Sequence, residues 1–334
     1  MSHTSAAILS TFTPDDAEDV AAWAAVRTAA DAVDAPWEPA LTPRRAAGWL
    51  RHGWDGEVDT PYLLRAAGEP VAAGAVSTSE YDNLHLAYVR VQVAPSHRRR
   101  GHGSRLLEAL LDEVRRRGRT TAVVEGWIAP SAEAFAARHG FEPALRDARR
   151  RQHLDRLHLD RIRALRDEAA EHAVDYRLEH WPVPTPSERL EELAALTAVM
   201  NDAPLDGLDY EDEVVTAERV RGYEDAVAGH GDRLHRLVAR HRVSGELAGQ
   251  TIVAVDAEHP EHAEQHDTVV AGAHRGHRLG LLLKAAMVLH LADAEPRLRA
   301  IDTWNAASNV PMLAVNELLG YRLLGEQWSY QRHL

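Results

Sequence analysis

The sequence predicts an α/β fold of the α+β kind, with two similar domains that each combine a mixed, mostly antiparallel sheet with flanking helices. The chain has 334 residues, of which 45% are hydrophobic and 27% charged, as expected for a globular protein long enough for two cores. A series of strand hairpin, strand, loop, helix, strand and helix occurs once in each half. Two copies of so long a series indicate a duplicated domain rather than a repeat array.

The first copy is defined by apolar periodicity and by its breaks. Apolar side chains alternate along residues 84–93, as in a strand, and then form one helical stripe along Ser104–Arg117, which Gly118 ends. The predicted elements are, in order, a hairpin (62–76), a strand (84–93), a helix (104–117), a strand (120–127) and a short helix that ends at Gly140-Phe141.

The second copy follows the same order. Its predicted elements are a hairpin (233–255), a strand that begins at Asp267, a loop (274–280), a helix (281–291), a strand (300–305) and a helix that ends at Gly320-Tyr321. Arg98 corresponds to Arg275 and Gly140 to Gly320, at separations of 177 and 180 residues. We therefore expect domains at 1–172 and 173–334, with the polar helix 160–172 as the linker and the chain's last strand in the second domain.

Composition excludes several classes of protein. There is no cysteine, so disulfides, thiolate metal sites and a cysteine nucleophile are excluded. The net charge of −13 argues against nucleic-acid and membrane partners, and the arginine-rich run 146–152 is expected to be a solvated face. No apolar segment is long enough to span a membrane, and the N-terminus lacks the features of a signal peptide. These features, with the preference for arginine over lysine, predict a cytoplasmic bacterial protein.

The segment between the strand 84–93 and the following helix has the pattern of an anion site. It reads Arg98-Arg99-Arg100-Gly101-His102-Gly103-Ser104. Free N–H groups at a helix start favour anions, glycine allows close approach to the backbone, and arginine adds charge. The segment lacks the Gly-Lys-Ser/Thr ending of a P-loop and the third glycine of a dinucleotide fingerprint. It therefore predicts a different phosphate or pyrophosphate site.

This segment resembles the acetyl-CoA loop of the GNAT superfamily of N-acetyltransferases, Gln/Arg-x-x-Gly-x-Gly/Ala. The family's Gly-aromatic helix ending is matched at Gly140-Phe141 and again at Gly320-Tyr321. The resemblance extends over nearly the whole chain, from residue 8 to 334, and identifies a tandem GNAT protein of actinobacterial type. It implies a sheet that splays open between its fourth and fifth strands, with acetyl-CoA in the opening.

The resemblance also implies which residues hold acetyl-CoA. The backbone at Val91 and Val93 would line the pantetheine, and the pyrophosphate would rest on Arg98, Arg99, Arg100, Gly101, His102, Gly103 and Ser104. In the second domain the matching residues are Arg275, Gly276, His277, Arg278 and Gly280, with Asn309 as an additional contact or a helix cap. Arg278 stands where the middle glycine is expected, and its Cβ would crowd the pyrophosphate. We therefore favour the first domain as the site for acetyl-CoA, although both halves could be active.

Acetyl transfer needs a base for the amine and an acid for the departing thiolate. The candidate bases are Glu125 and His85 in the first domain, and Glu264 with the nearby Asp267 in the second. The family's tyrosine, four residues before the Gly-aromatic pair, is absent: Ala136 and Asn316 take its place. His259, His262 and His266 are spaced like metal ligands, but they lie in an acidic segment, and no metal is expected.

The predicted function is N-acetylation of the primary amine of a small molecule by direct transfer from acetyl-CoA in a ternary complex. A protein or peptide acetyltransferase is one alternative. A non-catalytic acyl-CoA-binding module is another, favoured by the two missing tyrosines. We expect a monomer or homodimer.

Overall fold

The computed structural model describes residues 7–334, which form two compact units. The first unit contains the chain up to Arg146 together with Leu205–Asp212 and Gly325–Leu334, and the second contains Asp147–Pro204 and Glu213–Leu324. Each unit has a mixed, mostly antiparallel sheet flanked by helices, which confirms the predicted fold class.

The first unit builds its sheet in the order β1-β2-β3-β4-β5-β12. Its elements are β1 (Ile8–Thr11), α1 (Ala17–Asp34), α2 (Pro43–His52), β2 (Thr60–Ala66), β3 (Glu69–Ser77), β4 (Leu86–Val93), α3 (His102–Arg116), β5 (Thr121–Trp127) and α4 (Pro130–Arg138). β6 (Glu142–His153) begins here and continues in the second unit. The apolar stripe of α3 is buried as predicted, through Leu106, Leu107, Leu110, Leu111 and Val114.

The second unit builds its sheet in the order β6-β11-β10-β9-β8-β7. Its elements are α5 (Leu159–Glu171), β7 (Tyr176–Trp181), α6 (Leu190–Thr197), α7 (Ala217–Gly229), β8 (Arg233–His241), β9 (Leu247–Val255), β10 (His262–Val270), α8 (Leu279–Ala294), β11 (Ala300–Ala306) and α9 (Val310–Leu318). β12 (Arg322–His333) begins in this unit and ends in the first.

The units differ from the predicted domains 1–172 and 173–334 because each sheet takes its last strand from the other half of the sequence. β12 pairs antiparallel with β5, from Gln327 opposite Trp127 to His333 opposite Thr121. β6 pairs in the same way with β11, from Asp147 opposite Ala306 to His153 opposite Ala300. The last strand, expected in the second domain, therefore completes the first unit.

Two polar segments have a different role from the one expected. The run 146–152 belongs to strand β6, in which Arg149 is 3% and Gln152 0% exposed. It is therefore not a solvated face, because Arg149, Arg150 and Arg151 pair with acidic side chains of the second unit. The predicted linker helix is α5, whose Ile162 and Ala169 are buried in the core of the second unit. Within residues 7–334, no helix is both long and apolar enough to cross a membrane.

Candidate functional site: a splayed cleft and its phosphate-type loop

The main feature of the first unit is a cleft between two parallel strands. β4 and β5 pair from Leu86–Thr121 to Tyr88–Val123, and their described pairing ends there. β4 continues to Val93 and stays paired with β3 on its other side. From Val89 onward the edge of β4 that faces β5 therefore has backbone groups that an extended ligand could pair with.

The loop after β4 presents backbone N–H groups at the start of α3. Arg99 and Gly101 both have positive φ, +61° and +84°, and Gly101 is the N-cap residue. The first helical bond runs from the Arg105 N–H to the Gly101 carbonyl, so the amides of residues 102–104 lie ahead of the helical ladder. A Cβ at Gly101 would meet no atom within 4 Å. The loop therefore has the space and the donors that a phosphate group needs.

The arginines of this loop have different environments. Arg98 donates from Nε to the Val93 carbonyl at 3.1 Å and binds the Asp34 carboxylate through both terminal nitrogens, at 2.8 and 2.6 Å. Its guanidinium therefore fastens the loop to α1, and the place of Arg98 in the pyrophosphate site stays a prediction. Arg99 and Arg100 are exposed at the loop surface.

The start of α3 packs closely against α4. A Cβ at Gly103 would lie 3.3 Å from Phe135 Cε2 and 3.4 Å from Val93 Cγ2, which explains the need for a small residue. The Ser104 hydroxyl lies 2.8 Å from His139 Nε2. The pKa of His102 is lowered by burial and by His97, which favours a neutral imidazole at the helix start. The predicted loop residues 98–104 thus form one continuous structure.

Glu125 lies on β5 just beyond the last pair with β4. Side chains alternate along a strand, and the Cβ direction of Gly126 points to Ala132 on α4, so Glu125 points to the opposite face. Its side chain is exposed to solvent, although much of the protein lies around it. This burial raises the pKa of Glu125, and Arg90 opposes the shift. A carboxylate whose pKa is raised is better suited to take a proton than an ordinary glutamate.

His85 is not brought together with Glu125. It precedes β4, at the end where β4 and β5 are paired, and its carbonyl accepts hydrogen bonds from the Thr120 and Thr121 amides. Its Nε2 lies 3.4 Å from the Asp209 carboxylate. Arg90, whose positive charge acts on Glu125, lies about 16 Å from His85 along the strand. His85 therefore has the position of a structural side chain.

Aromatic side chains lie beside Glu125. Trp127 is two residues further along the same strand and on the same face, and its ring meets Trp37 edge to face at 5.2 Å. Gly325 packs against both: a Cβ there would lie 2.8 Å from Trp37 and 3.1 Å from Trp127. This wall was not predicted from the sequence, because its members are far apart along the chain.

The second unit has a corresponding cleft. β10 and β11 pair from His262–Ala300 to Gln265–Thr303, and a register shift between Gln265 and Thr268 follows in β10. β10 begins at His262, so the polar residues 262–266, before Asp267, are part of the strand. Two loop residues before α8 have positive φ, Gly276 at +86° and Arg278 at +55°.

The other predicted loop residues of this unit have defined partners. Arg275 binds the Val270 carbonyl at 3.2 Å and Asp202 at 2.6 Å, as Arg98 binds its own partners. Asn309 is the N-cap of α9, and its side chain accepts a hydrogen bond from the Met312 amide at 3.3 Å. Gly280 has open space around its Cβ position, and His277 packs against the Tyr176 ring.

Glu264 is engaged in an ion-pair cluster. Arg149 contacts Glu264 at 2.6 Å and Asp302 at 3.0 Å, and Arg151 also binds Asp302. Burial alone would raise the pKa of Asp302, but hydrogen bonds from Arg151 and His262 lower it to about 2. His262, Glu264 and Asp302 have atoms close enough to share a metal ion, but two guanidinium groups already neutralise their charge. His266 instead contacts Tyr223, so the three histidines are not gathered.

Two polar groups in this cleft could do proton chemistry. Burial and Glu213 raise the pKa of Asp267 to about 6, against the effect of Arg236. The Tyr223 hydroxyl lies 2.5 Å from His266 Nδ1, one residue away from Asp267. The sequence pattern indicates Asp267 but not Tyr223, which comes from α7 and has no motif around it.

The comparisons with known proteins agree with this geometry. Residues 23–141 match the model of the acetyltransferase (GNAT) family. A tandem GNAT protein from the clavulanic acid biosynthesis pathway is 26% identical, with 98% of each chain covered and a TM-score of 0.80. No curated protein sequence matches the chain.

Two further solved structures share the fold at lower identity. A GCN5-related N-acetyltransferase from Sphaerobacter thermophilus is 18% identical over 98% of this chain and 95% of its own, with a TM-score of 0.67. The glucosamine N-acetyltransferase region of a fungal multi-domain β-N-acetylglucosaminidase is 16% identical, covers 98% of this chain and 38% of its own, and has a TM-score of 0.66. The fold and the cleft of this chain are those of the solved GNAT structures. Residues 23–141 thus match the GNAT family model, and the chain as a whole is similar to a tandem GNAT protein.

Proposed function

We propose that the chain is an acetyl-CoA-dependent N-acetyltransferase that acts on the primary amine of a small molecule, with acetyl-CoA bound in the first unit. The observation that carries this proposal is the open edge of β4, continuous with the loop that presents the amides of residues 102–104. An extended amide chain and a pyrophosphate would find matching partners there in the order in which acetyl-CoA contains them.

The residues of the first unit fit this group. The backbone at Val91 and Val93 would pair with the pantetheine, and the loop amides with the pyrophosphate. The exposed Arg99 and Arg100 would add charge-assisted contacts, while Arg98 holds the loop in place. Acetyl-CoA supplies the acetyl group in activated form, as a thioester.

Glu125 is our candidate base. An amine must lose a proton as its nitrogen bonds to the acetyl carbon, and the raised pKa of Glu125 suits it to accept that proton. Its carboxylate also attracts a cationic acceptor before transfer. Trp37 and Trp127 would provide an apolar wall for the rest of that molecule.

Two similar proteins support a small acceptor. One belongs to the clavulanic acid biosynthesis pathway, and the other is a glucosamine N-acetyltransferase region. The net charge of −13 is consistent with a cationic acceptor.

Calorimetric titration of acetyl-CoA tests the binding site. Gly101→Glu places a carboxylate at the loop, and Gly276→Glu is its matched control, because both glycines have positive φ and open space. We expect one site in the wild type and in Gly276→Glu, and none in Gly101→Glu. Retained binding in Gly101→Glu, with loss in Gly276→Glu, would move the site to the second unit.

A panel of amines and peptides, analysed by mass spectrometry, tests the acceptor. Acetylation of free amines is expected. Modification of peptides alone would contradict the small-molecule acceptor, and tight binding without turnover would contradict catalysis.

A further inference from the structure

Arg90 and Glu125 lie on opposite walls of the open part of the cleft. Tyr88 and Val123 are the last residues of β4 and β5 that pair, and Arg90 and Glu125 each follow two residues later. Side chains two residues apart on a strand share a face, and the apolar neighbours of Arg90 belong to the core under α3, so both charged groups point to the other face. Within residues 7–334 they form no ion pair with each other, although the charge of Arg90 acts on Glu125. The two walls therefore carry opposite charges with room for a ligand between them.

A second guanidinium group lies beside Arg90. Arg27 of α1 donates from Nε to Gln92 Oε1 at 3.0 Å, and Gln92 is the next residue on the Arg90 face of β4. The Arg27 Cζ atom also lies 4.4 Å from the centroid of the Trp23 ring. These contacts hold the half-buried side chain in place, while its two terminal nitrogens form no hydrogen bond with any described residue. The outer edge of this guanidinium is therefore available to a carboxylate.

The carboxylates near these arginines are held mainly by other groups. Asp31 accepts a hydrogen bond from Gln92 Nε2 at 2.7 Å, and Asp59 accepts one from the Ser77 hydroxyl. Asp59 lies 3.6 Å from Arg90, beyond hydrogen-bond distance, and the Arg90 side chain remains 43% exposed. Neither carboxylate therefore occupies the guanidinium edges that face the cleft.

The two positive charges are also unfavourable to each other. Burial and the charge of Arg90 both lower the pKa of Arg27, against the effects of Asp31 and Asp59. An anion bound between the two guanidinium groups would offset this repulsion. Arginine is suited to that task, because its planar group can bind a carboxylate through two parallel hydrogen bonds.

The second unit does not repeat this arrangement. Two residues beyond the last pair of its cleft, Asp267 and Asn305 take the positions of Arg90 and Glu125. The shared sheet therefore does not require an arginine and a glutamate at these positions, and the pair is particular to the first unit.

We propose that the acceptor of the first unit carries a carboxylate beside its amine, as amino acids do, and that Arg90 and Arg27 bind this carboxylate. The inference rests on the proposed function, because it requires Glu125 to receive the amine. The ammonium end lies against Glu125, and the rest of the acceptor lies against the wall formed by Trp37 and Trp127. Arg90 and Arg27 thus determine specificity and take no part in proton transfer.

Pairs of acceptors that differ only in this carboxylate test the proposal on the wild-type protein. We would compare kcat/KM for a set of free amino acids with kcat/KM for the corresponding amino-acid amides, at saturating acetyl-CoA. The amides keep the amine and the side chain, and their amines are less protonated at neutral pH. We nevertheless expect the free amino acids to be preferred about tenfold or more, because a hydrogen bond to a charged group is lost in the amides.

Arg90→Gln tests the assignment of the residue. Its exposed position makes the variant compatible with folding, and the ratio of the two kcat/KM values should fall to about one. Arg27→Gln should shift the ratio in the same direction. Arg65→Gln is the matched control and should keep the wild-type ratio: Arg65 is also a partly buried arginine that contacts α1, at Asp19, but it lies on β2, two strands from the cleft.

The outcomes separate this inference from the proposed function. If wild type acetylates amides as well as it acetylates free amino acids, the acceptor needs no carboxylate and the inference is wrong, while the proposed function stands. An unchanged ratio in Arg90→Gln and Arg27→Gln, with both rates lowered equally, would show that the arginines act only on Glu125 or on the fold. If wild type acetylates no free amine of any kind, the proposed function itself fails.

Discussion

The loop before α3 and the loop before α8 follow the same backbone path, but glycine and arginine have exchanged places. In the first unit Arg99 and then Gly101 have positive φ; in the second Gly276 and then Arg278 do. Both loops are held by an arginine bound to a strand carbonyl and to an aspartate, Asp34 or Asp202. Their conformation is therefore stabilised from outside the loop. The placement of glycine instead decides where a ligand can approach the helix start closely.

The cores below the loops differ in a related way. At matching positions the first unit has Leu107, Ala136 and Phe141, and the second has Lys284, Asn316 and Tyr321, all buried. Lys284 lies over the Tyr321 ring at 4.9 Å, and burial lowers its pKa to about 7. The first unit thus uses its interior for apolar packing, while the second keeps polar groups there at a cost in stability.

The largest effect is expected from the buried ion pair between Arg236 and Glu224 in the second unit. Arg236 and Glu224 are both nearly inaccessible and pair with each other and with Thr185, whereas the corresponding helix-covered core of the first unit is apolar. Arg236→Met leaves the buried Glu224 with Arg221, at 2.9 Å, as its remaining counter-charge, and should cost up to about 3 kcal/mol in urea unfolding. Arg233→Met, on the same strand, breaks only the half-exposed pair with Glu295 and should cost below about 1 kcal/mol. An equal loss of unfolding free energy in the two variants would show that the buried pair contributes no more to stability than the more exposed pair.

The next effect concerns which unit does the chemistry. Glu125→Gln should lower kcat/KM at least about 10²-fold, while Asp267→Asn should have little effect if the first unit is the catalyst. Because Glu125 must be ionised, wild-type kcat/KM should rise with pH through a pKa above that of an ordinary glutamate. Loss of activity only in Asp267→Asn, with a pKa near 6 in the profile, would assign catalysis to the second unit.

The same Glu125→Gln variant should be more stable than wild type at neutral pH. A carboxyl group whose pKa is raised on folding lowers stability once pH exceeds its folded-state pKa, and has no effect below its unfolded-state pKa. The two proteins should therefore unfold at the same temperature in acid and separate as pH rises. Separation in the opposite direction would contradict the raised pKa.

A smaller effect is expected from Lys284→Leu, which copies the residue of the first unit. It should gain about 1–3 kcal/mol near pH 7 by removing a poorly solvated amine. In wild type the unfolded chain binds the lysine proton more tightly, so stability should rise from about pH 7 towards pH 10.5. Lys284 is the single lysine of the sequence, and this rise should disappear in the variant. A rise that persists would have to come from other groups.

The smallest effect is expected from Arg278→Gly, which gives the second loop its missing glycine. Relief of the positive φ at Arg278 should change stability by less than about 1 kcal/mol. The variant should also admit acetyl-CoA to the second unit if the Cβ of Arg278 was the obstacle. Calorimetry would then count a second site. An unchanged count would show that the polar core, rather than the loop, prevents binding.

Local patterns predicted the elements of both units and the loop at residues 98–104, because apolar periodicity and glycine placement are properties of neighbouring residues. They did not predict that β12 would pair with β5, since strand partners are chosen by contacts between residues far apart along the chain. The arginines of β6 looked solvated because Glu264 and Asp302, their partners, lie more than a hundred residues away.

The exchange of strands has a consequence for how the protein is made. The first unit needs Gly325–Leu334, which leave the ribosome only after about 180 further residues have been added. Translation at roughly 5–20 residues per second leaves β5 with an exposed edge for on the order of ten seconds or more. An open strand edge is a template for wrong pairing. The nascent chain should therefore be a substrate for chaperones at this edge, and slow codons after β6 should lower the yield of soluble protein.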